Sequence, residues 1–295
     1  MKNHSFAFTL LCTAAIAASS HSIQVTHSSS HNAHARQVAR SGGPKRCKTH
    51  SFSGSATTPK LAEKAVKASS SCSGANAAAS LRPCGDVGAT AEITSQSGPN
   101  GNIHWMNCGI DNGGWNPSYL DIEHVIVEDL TAALQARNTP FAICAPYVDK
   151  FYQYGNQFDI PPIIIASFAM QESSCNHALV GGAGEQGLMQ LTADKCTDAP
   201  RGNCQDIDYN IMTGTKFFRS LLDSHGGNVL LSVGSYNGWF KGMTHEDATA
   251  SASTCCRCQN NLDYLHQFLN GWCQNVDAYA ENLGIYHNLD ACPSG

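Results

Sequence analysis

The sequence predicts a mainly α-helical domain tied by disulfides and preceded by a disordered tail. Three observations carry that prediction. From about residue 84 onward, apolar side chains recur at helical spacing. The 295-residue chain holds 14 Cys, a density typical of domains oxidised outside the cytosol. Between residue 19 and about residue 80 the chain is poor in large apolar side chains, so that stretch has little to offset the entropy of folding. Charged residues make up 14% and hydrophobic ones 42%, which excludes a coiled coil and a wholly disordered chain.

Lys2 precedes an apolar run from Phe6 to Ala18, with small residues around Ala15-Ile16-Ala17. That pattern is a secretory signal peptide over residues 1–18, too short to span a bilayer. Residues 19–83, rich in Ser, Ala, His and Thr, read as a linker or pro-segment. Their Ser/Thr content permits O-glycosylation, and the dibasic pair Lys45-Arg46 offers a cleavage point after Arg46. One domain is expected over 84–295.

Within it, residues 85–118, rich in Gly and Asn, read as loop or short strands. Ile122, Val125, Ile126, Leu130, Ala133 and Leu134 share one helical face, opened by Asp121 as N-cap. Tyr147, Val148, Phe151 and Tyr154 predict a short helix ending at Gly155. Pro161-Pro162 then sets the start of a helix over Ile163–Ser174 that is apolar on nearly every side, which makes it the buried central one. Ile207, Ile211, Phe218 and Leu222 form the stripe of a helix closed by Gly226-Gly227. Val229–Ser235 and Leu262–Leu269 give two more.

Charge divides the chain. Residues 19–80 carry eight Lys/Arg and one Glu, whereas residues 81–295 carry nine Lys/Arg and 22 Asp/Glu. An acidic body makes nucleic acid and anionic membrane surfaces unlikely partners, because phosphate binding rests on Lys/Arg. Repulsion from an anionic polymer would ease as carboxylates protonate, so an acidic pH optimum is expected. Loss of the signal removes Cys12 and leaves an odd number of cysteines, so at least one is free, paired between chains or lost by processing. The cluster Cys255-Cys256-Arg257-Cys258 lacks partners at zinc-site spacing, and no metal or other cofactor is expected. A monomer is expected.

Glu172 is the most informative residue. Ile165, Phe168 and Ala169 lie seven, four and three residues before it, on the same helical face. A carboxyl group on an apolar face loses solvation of its charged form, so its pKa should rise. A Glu kept protonated near neutral pH suits glycosidic cleavage, where the leaving oxygen must receive a proton. The plainer alternative is a Glu that merely caps the helix end or pairs with Lys150 or Arg219. Downstream, the glycine-rich loop Gly181–Gly184 leads through Glu185-Gln186 into Gly187-Leu188-Met189-Gln190, where the backbone can approach a ligand and Gln190 can bond a sugar. Ser235-Tyr236-Asn237-Gly238-Trp239 places two aromatics beside an Asn-Gly turn.

Taken together, Asp159-Ile160-Pro161-Pro162, Gln171-Glu172-Ser173, Gly187-Leu188-Met189-Gln190 and Tyr236-Asn237, in that order, resemble the soluble lytic transglycosylase and goose-type lysozyme family, glycoside hydrolase family 23. The resemblance spans about residues 155–240. It implies a lysozyme-like helical fold and a groove for β-1,4-linked amino sugars. Glu172 becomes the essential acid, with Ser173, Leu188, Met189, Gln190, Tyr236 and Asn237 as substrate-binding residues. The sequence departs from the family in three places. Gly181 stands where a Ser is common after Val180, Glu185 stands where a small residue is common, and Gly-Trp follows Tyr236-Asn237. The Cys-rich flanks and the signal suggest a eukaryotic secreted version, such as a fungal one.

Two reactions fit one acid. In a lytic transglycosylase the sugar's own C6 hydroxyl closes an anhydro ring; in a hydrolase a second carboxylate positions water. Inverting hydrolases leave roughly 6.5–9.5 Å between the two carboxyls. Glu185 is the first candidate for that role and Asp194 the second, the alternative for Glu185 being a solvated loop charge. Peptidoglycan is the expected substrate. Chitin or chito-oligosaccharides are the rival substrate, and a non-catalytic wall-binding defence protein is the rival function.

Overall fold

The computed structural model describes residues 84–292, so the signal peptide, the tail and the Lys45-Arg46 pair lie outside the described residues. As expected, the first stretch holds little regular structure. Strand β1 (Ser97–Gly98) pairs antiparallel with β2 (Gly101–Asn102), and the one-turn helix α1 (Ile103–Met106) follows. Asn102 caps α1 by accepting from the Trp105 N–H at 2.8 Å.

The single helix expected from Asp121 is instead two pieces. A 3-10 turn covers Ile122–His124, and after an extended stretch α2 runs from Leu130 to Gln135. Two N-caps explain the break, because Asp121 accepts from Glu123 N–H and Asp129 from Ala132 N–H, each starting its own turn. Between them, buried Asn100 accepts from Ile126 N–H and donates to Ile126 O, both at 2.8 Å. Those bonds replace the helical ones, and the Ile126 side chain is left exposed.

Next comes a 3-10 segment, Pro140–Tyr147, and then α3 (Val148–Phe158), which continues past Gly155 to a left-handed cap at Asp159. Gly155 is needed inside α3 because a Cβ there would lie 2.7 Å from Ile160 O. Helix α4 (Pro162–Ser173) is buried along almost its whole length. Its buried hydroxyls are satisfied within the helix: Ser167 donates to Ile163 O and Ser173 to Ala169 O.

The remaining helices are α5 (Ile207–Ser224), α6 (Val229–Tyr236), the unforeseen α7 (His245–Thr249) and α8 (Tyr264–His266). Thr244 and Asp247 form a capping box for α7. After α8 the chain stays helical through a π turn (Gln267–Gly271) and a 3-10 turn (Trp272–Gln274). Helix α4 sits at the centre, packed by α3 and by these last turns, while α5 bridges α3 and α6. Phe168 marks the middle of the core, with ring centroids of Tyr236, Phe268 and Phe218 at 4.2, 4.5 and 4.8 Å. The described residues therefore form a mainly α, disulfide-tied fold.

Five disulfides staple it: Cys84–Cys108, Cys144–Cys175, Cys196–Cys204, Cys255–Cys258 and Cys256–Cys292. The Cys255–Cys258 cluster is thus spent on disulfides. Among the described residues Cys273 remains an unpaired, buried thiol. The segment after the last helical turn is drawn back onto the domain by buried Asp263. Its carboxylate accepts from the backbone N–H groups of Ile285, Tyr286 and His287 at 2.7–3.0 Å.

Candidate functional site

Glu172 lies in the last turn of α4, where that helix meets an open cleft of about 950 Å³. Neither cation named as an alternative partner reaches it, since Lys150 pairs with Asp208 and Arg219 with Asp223. Its partner is the hydroxyl of Tyr264, which donates to Glu172 Oε1. Burial pushes the Glu172 carboxyl up from 4.5 to about 7; the Tyr264 bond opposes that rise and the nearby charge of Glu185 adds to it. Tyr264 and Tyr236 are both held well above the usual phenol range by burial and by the charge of Glu172, so both stay neutral.

Behind Glu172 its neighbour Gln171 is locked at both ends of its side chain. Its Oε1 accepts from Trp272 Nε1 at 2.5 Å, and its Nε2 donates to Gln267 Oε1 at 3.1 Å. Gln267 Oε1 also accepts from Asn261 Nδ2 at 2.8 Å. This network fixes the end of α4 against the last helical turns, so the acid is carried on rigid backbone.

The glycine-rich loop is anchored from α5. Buried Asn210 accepts from Met189 N–H and donates to Gln186 O and Cys204 O, all at 2.8 Å. Gly187 has φ +78°, and a Cβ on it would lie 2.5 Å from Asn210 Nδ2, so only glycine fits. Tyr236 donates to Met189 O at 2.9 Å and closes the same segment from α6.

These bonds sort the expected site residues. Glu172, Glu185, Gln190, Tyr236 and Asn237 all line the cleft. Ser173, Leu188 and Met189 do not and are buried: Ser173 donates to Ala169 O and Leu188 O, and Met189 packs on Gly214 of α5. They shape the site from behind rather than line it. Trp239 is likewise buried, edge-on to Trp115 at 5.0 Å. Asp194 is exposed and outside the cleft lining, its carboxyl held below the usual range by Thr192 and Lys195.

Glu185 and Gly181 turn out to be one feature. A Cβ on Gly181 would lie 2.5 Å from both Glu185 Oε2 and Gln190 Oε1. The carboxylate therefore occupies the space that a serine side chain would need, and Ala183 N–H donates to it at 3.1 Å. Gln190 is held by donating from Nε2 to Gly187 O at 2.8 Å, which leaves Oε1 beside Gly181. Asn237 accepts from Asn261 N–H and, through its carbonyl, from Asn260 Nδ2, tying the end of α6 to the opposite wall.

Residues 149–251 match the family model described as the transglycosylase SLT domain. These residues are an SLT domain. Among solved structures, the chain is similar to one described as the complex of the 70-kDa soluble lytic transglycosylase with bulgecin A. The alignment has 26% identity and a TM-score of 0.31, and covers 33% of this chain and 18% of that one. The SLT domain supports a glycosidase or transglycosylase of the peptidoglycan-cleaving kind in general terms. It supplies Glu172, the glycine-rich loop and Tyr236. Tyr264, Tyr279 and the 257–261 segment of the cleft lie beyond its last residue. Tyr264 escaped the sequence reading because it sits in an apolar helical stripe, where an aromatic reads as core.

Proposed function

We propose that this protein is a secreted glycosidase that cleaves the β-1,4 bond between N-acetylmuramic acid and N-acetylglucosamine in bacterial peptidoglycan, with Glu172 as the general acid. The observation that carries this reading is a carboxyl group with its pKa raised to about 7, hydrogen-bonded by Tyr264 in the cleft of an SLT domain. Such an acid is protonated in much of the population at neutral pH and can give its proton to the leaving oxygen. As the bond from sugar C1 to that oxygen breaks, the oxygen keeps the electron pair and takes the Glu172 proton.

Two completions follow. If the C6 hydroxyl of the same sugar attacks C1, it returns its proton to Glu172 and an anhydro sugar forms without water. If water attacks C1 instead, Glu185 accepts its proton and later releases it to solvent, while Glu172 is reprotonated from solvent. The placement of Glu185 in the cleft, in the space a serine would occupy, favours the hydrolytic completion. Purified peptidoglycan incubated with the protein should release soluble muropeptides, and Glu172→Gln should abolish release. Release that persists at the parental rate in Glu172→Gln overturns the assignment of the acid.

A further inference from the structure

Most surface tyrosines bury part of the ring and leave the hydroxyl in water. Tyr279 does the reverse. Its hydroxyl donates to Gln171 O at 2.9 Å, while the residue is 48% exposed and lines the cleft. The ring is not free to swing. It stands edge-on to Trp272, with centroids 5.0 Å apart and planes at 78°. Its backbone is pinned because Asp277 Oδ1 accepts from Tyr279 N–H and Ala280 N–H at 3.1 and 3.0 Å. Ala278 below it fills the space left by Gly271, where a Cβ would lie 2.6 Å from the Ala278 Cβ. Among the described residues of the cleft lining, the exposed large apolar side chains are Tyr279 and Val180.

A fixed aromatic face in a cleft whose polar side chains are mostly amides and carboxylates suits one ligand surface in particular. A β-linked pyranose presents axial C–H groups on one face and hydroxyl or amide groups at its rim. We propose that Tyr279 is a stacking platform for one N-acetylated amino-sugar ring of the bound chain. Anchored to the residue before Glu172, it holds a ring close to the bond being cleaved; this rests on the glycosidase reading above. The platform lies outside residues 149–251, so the segment that follows the SLT domain takes part in setting how the chain is gripped.

The test is binding to the inactive full-length Glu172→Gln protein, using N-acetylated chitotetraose and chitohexaose and, separately, a peptide-free tetrasaccharide from peptidoglycan. Calorimetry should show about tenfold weaker binding in Glu172→Gln/Tyr279→Ala and near-parental binding in Glu172→Gln/Tyr279→Trp. In Glu172→Gln itself, proton spectra should show upfield ring-current shifts of sugar C–H protons, a readout that needs no Tyr279 variant to fold. Unchanged affinity in a folded Tyr279→Ala protein, or binding without those shifts, overturns the platform and leaves the acid untouched. Failure of every sugar probe to bind overturns the platform and the glycosidase reading together. Shifted sugar protons in a parent that releases no product support the platform and sink catalysis alone.

Discussion

Replacing Glu172 with Gln should abolish activity and also stabilise the folded protein, to an extent that depends on pH. The unfolded chain releases this proton near 4.5, whereas the folded protein keeps it to about 7. Between those values the folded state binds more protons than the unfolded one, so stability falls as pH rises through that window and stays lower above it. A rise from 4.5 to about 7, at ~1.36 kcal/mol per unit, corresponds to ~3 kcal/mol. The Gln amide keeps an acceptor for Tyr264 but a weaker one than a carboxylate, which reduces the expected gain to ~2 kcal/mol at pH 8. For a domain of this size that is ~4–8 °C in Tm. Below pH 4.5 both forms are neutral and the gain should vanish. Differential scanning calorimetry of the oxidised proteins at pH 4 and pH 8 measures it. Equal Tm at pH 8, or the same increment at both pH values, would refute the claim that a buried, reluctantly ionised carboxyl sits at this position.

Tyr264→Phe removes the bond that holds the Glu172 pKa down, so the alkaline limb of the pH–rate profile should move to higher pH and kcat should fall about tenfold. Gly181→Ser forces a side chain against Glu185 and Gln190 and should weaken substrate binding; adding Glu185→Ala relieves the first contact, so calorimetry should show binding of N-acetylated chitohexaose recovering while turnover does not. Replacing Cys256 and Cys292 with Ser opens a loop of sequence separation 36, and denaturant unfolding should show a loss of ~2–4 kcal/mol. Ser173→Ala should leave KM unchanged and cost ~1–2 kcal/mol of stability, because its hydroxyl bonds Ala169 O and Leu188 O.

Where one element decides its own shape, the sequence was readable. Helix α4 is apolar all round with Pro161-Pro162 at its start, and it is found within a residue of the expected bounds. The apolar face of that helix also pointed correctly to a Glu172 with raised pKa. What failed was long-range. The break between Ile122 and Leu130 depends on Asn100, distant in sequence, taking both backbone bonds of Ile126. The separation of Gln190 from Leu188 and Met189 depends on Asn210 reaching across from α5; motif order alone treats all three alike. The wall that carries Tyr264 and Tyr279 depends on Asp263 and Cys256–Cys292 folding the last segment back, which no local pattern encodes.

Whether Glu172 cleaves peptidoglycan is decided by mass spectrometry of the soluble products released from the purified polymer, with Glu172→Gln alongside. Muropeptides should come from the parent protein and none from Glu172→Gln, with reducing ends if Glu185 positions water and anhydro ends if Glu172 acts alone. Equal release by the two proteins, or no release from peptidoglycan by the parent, would contradict it.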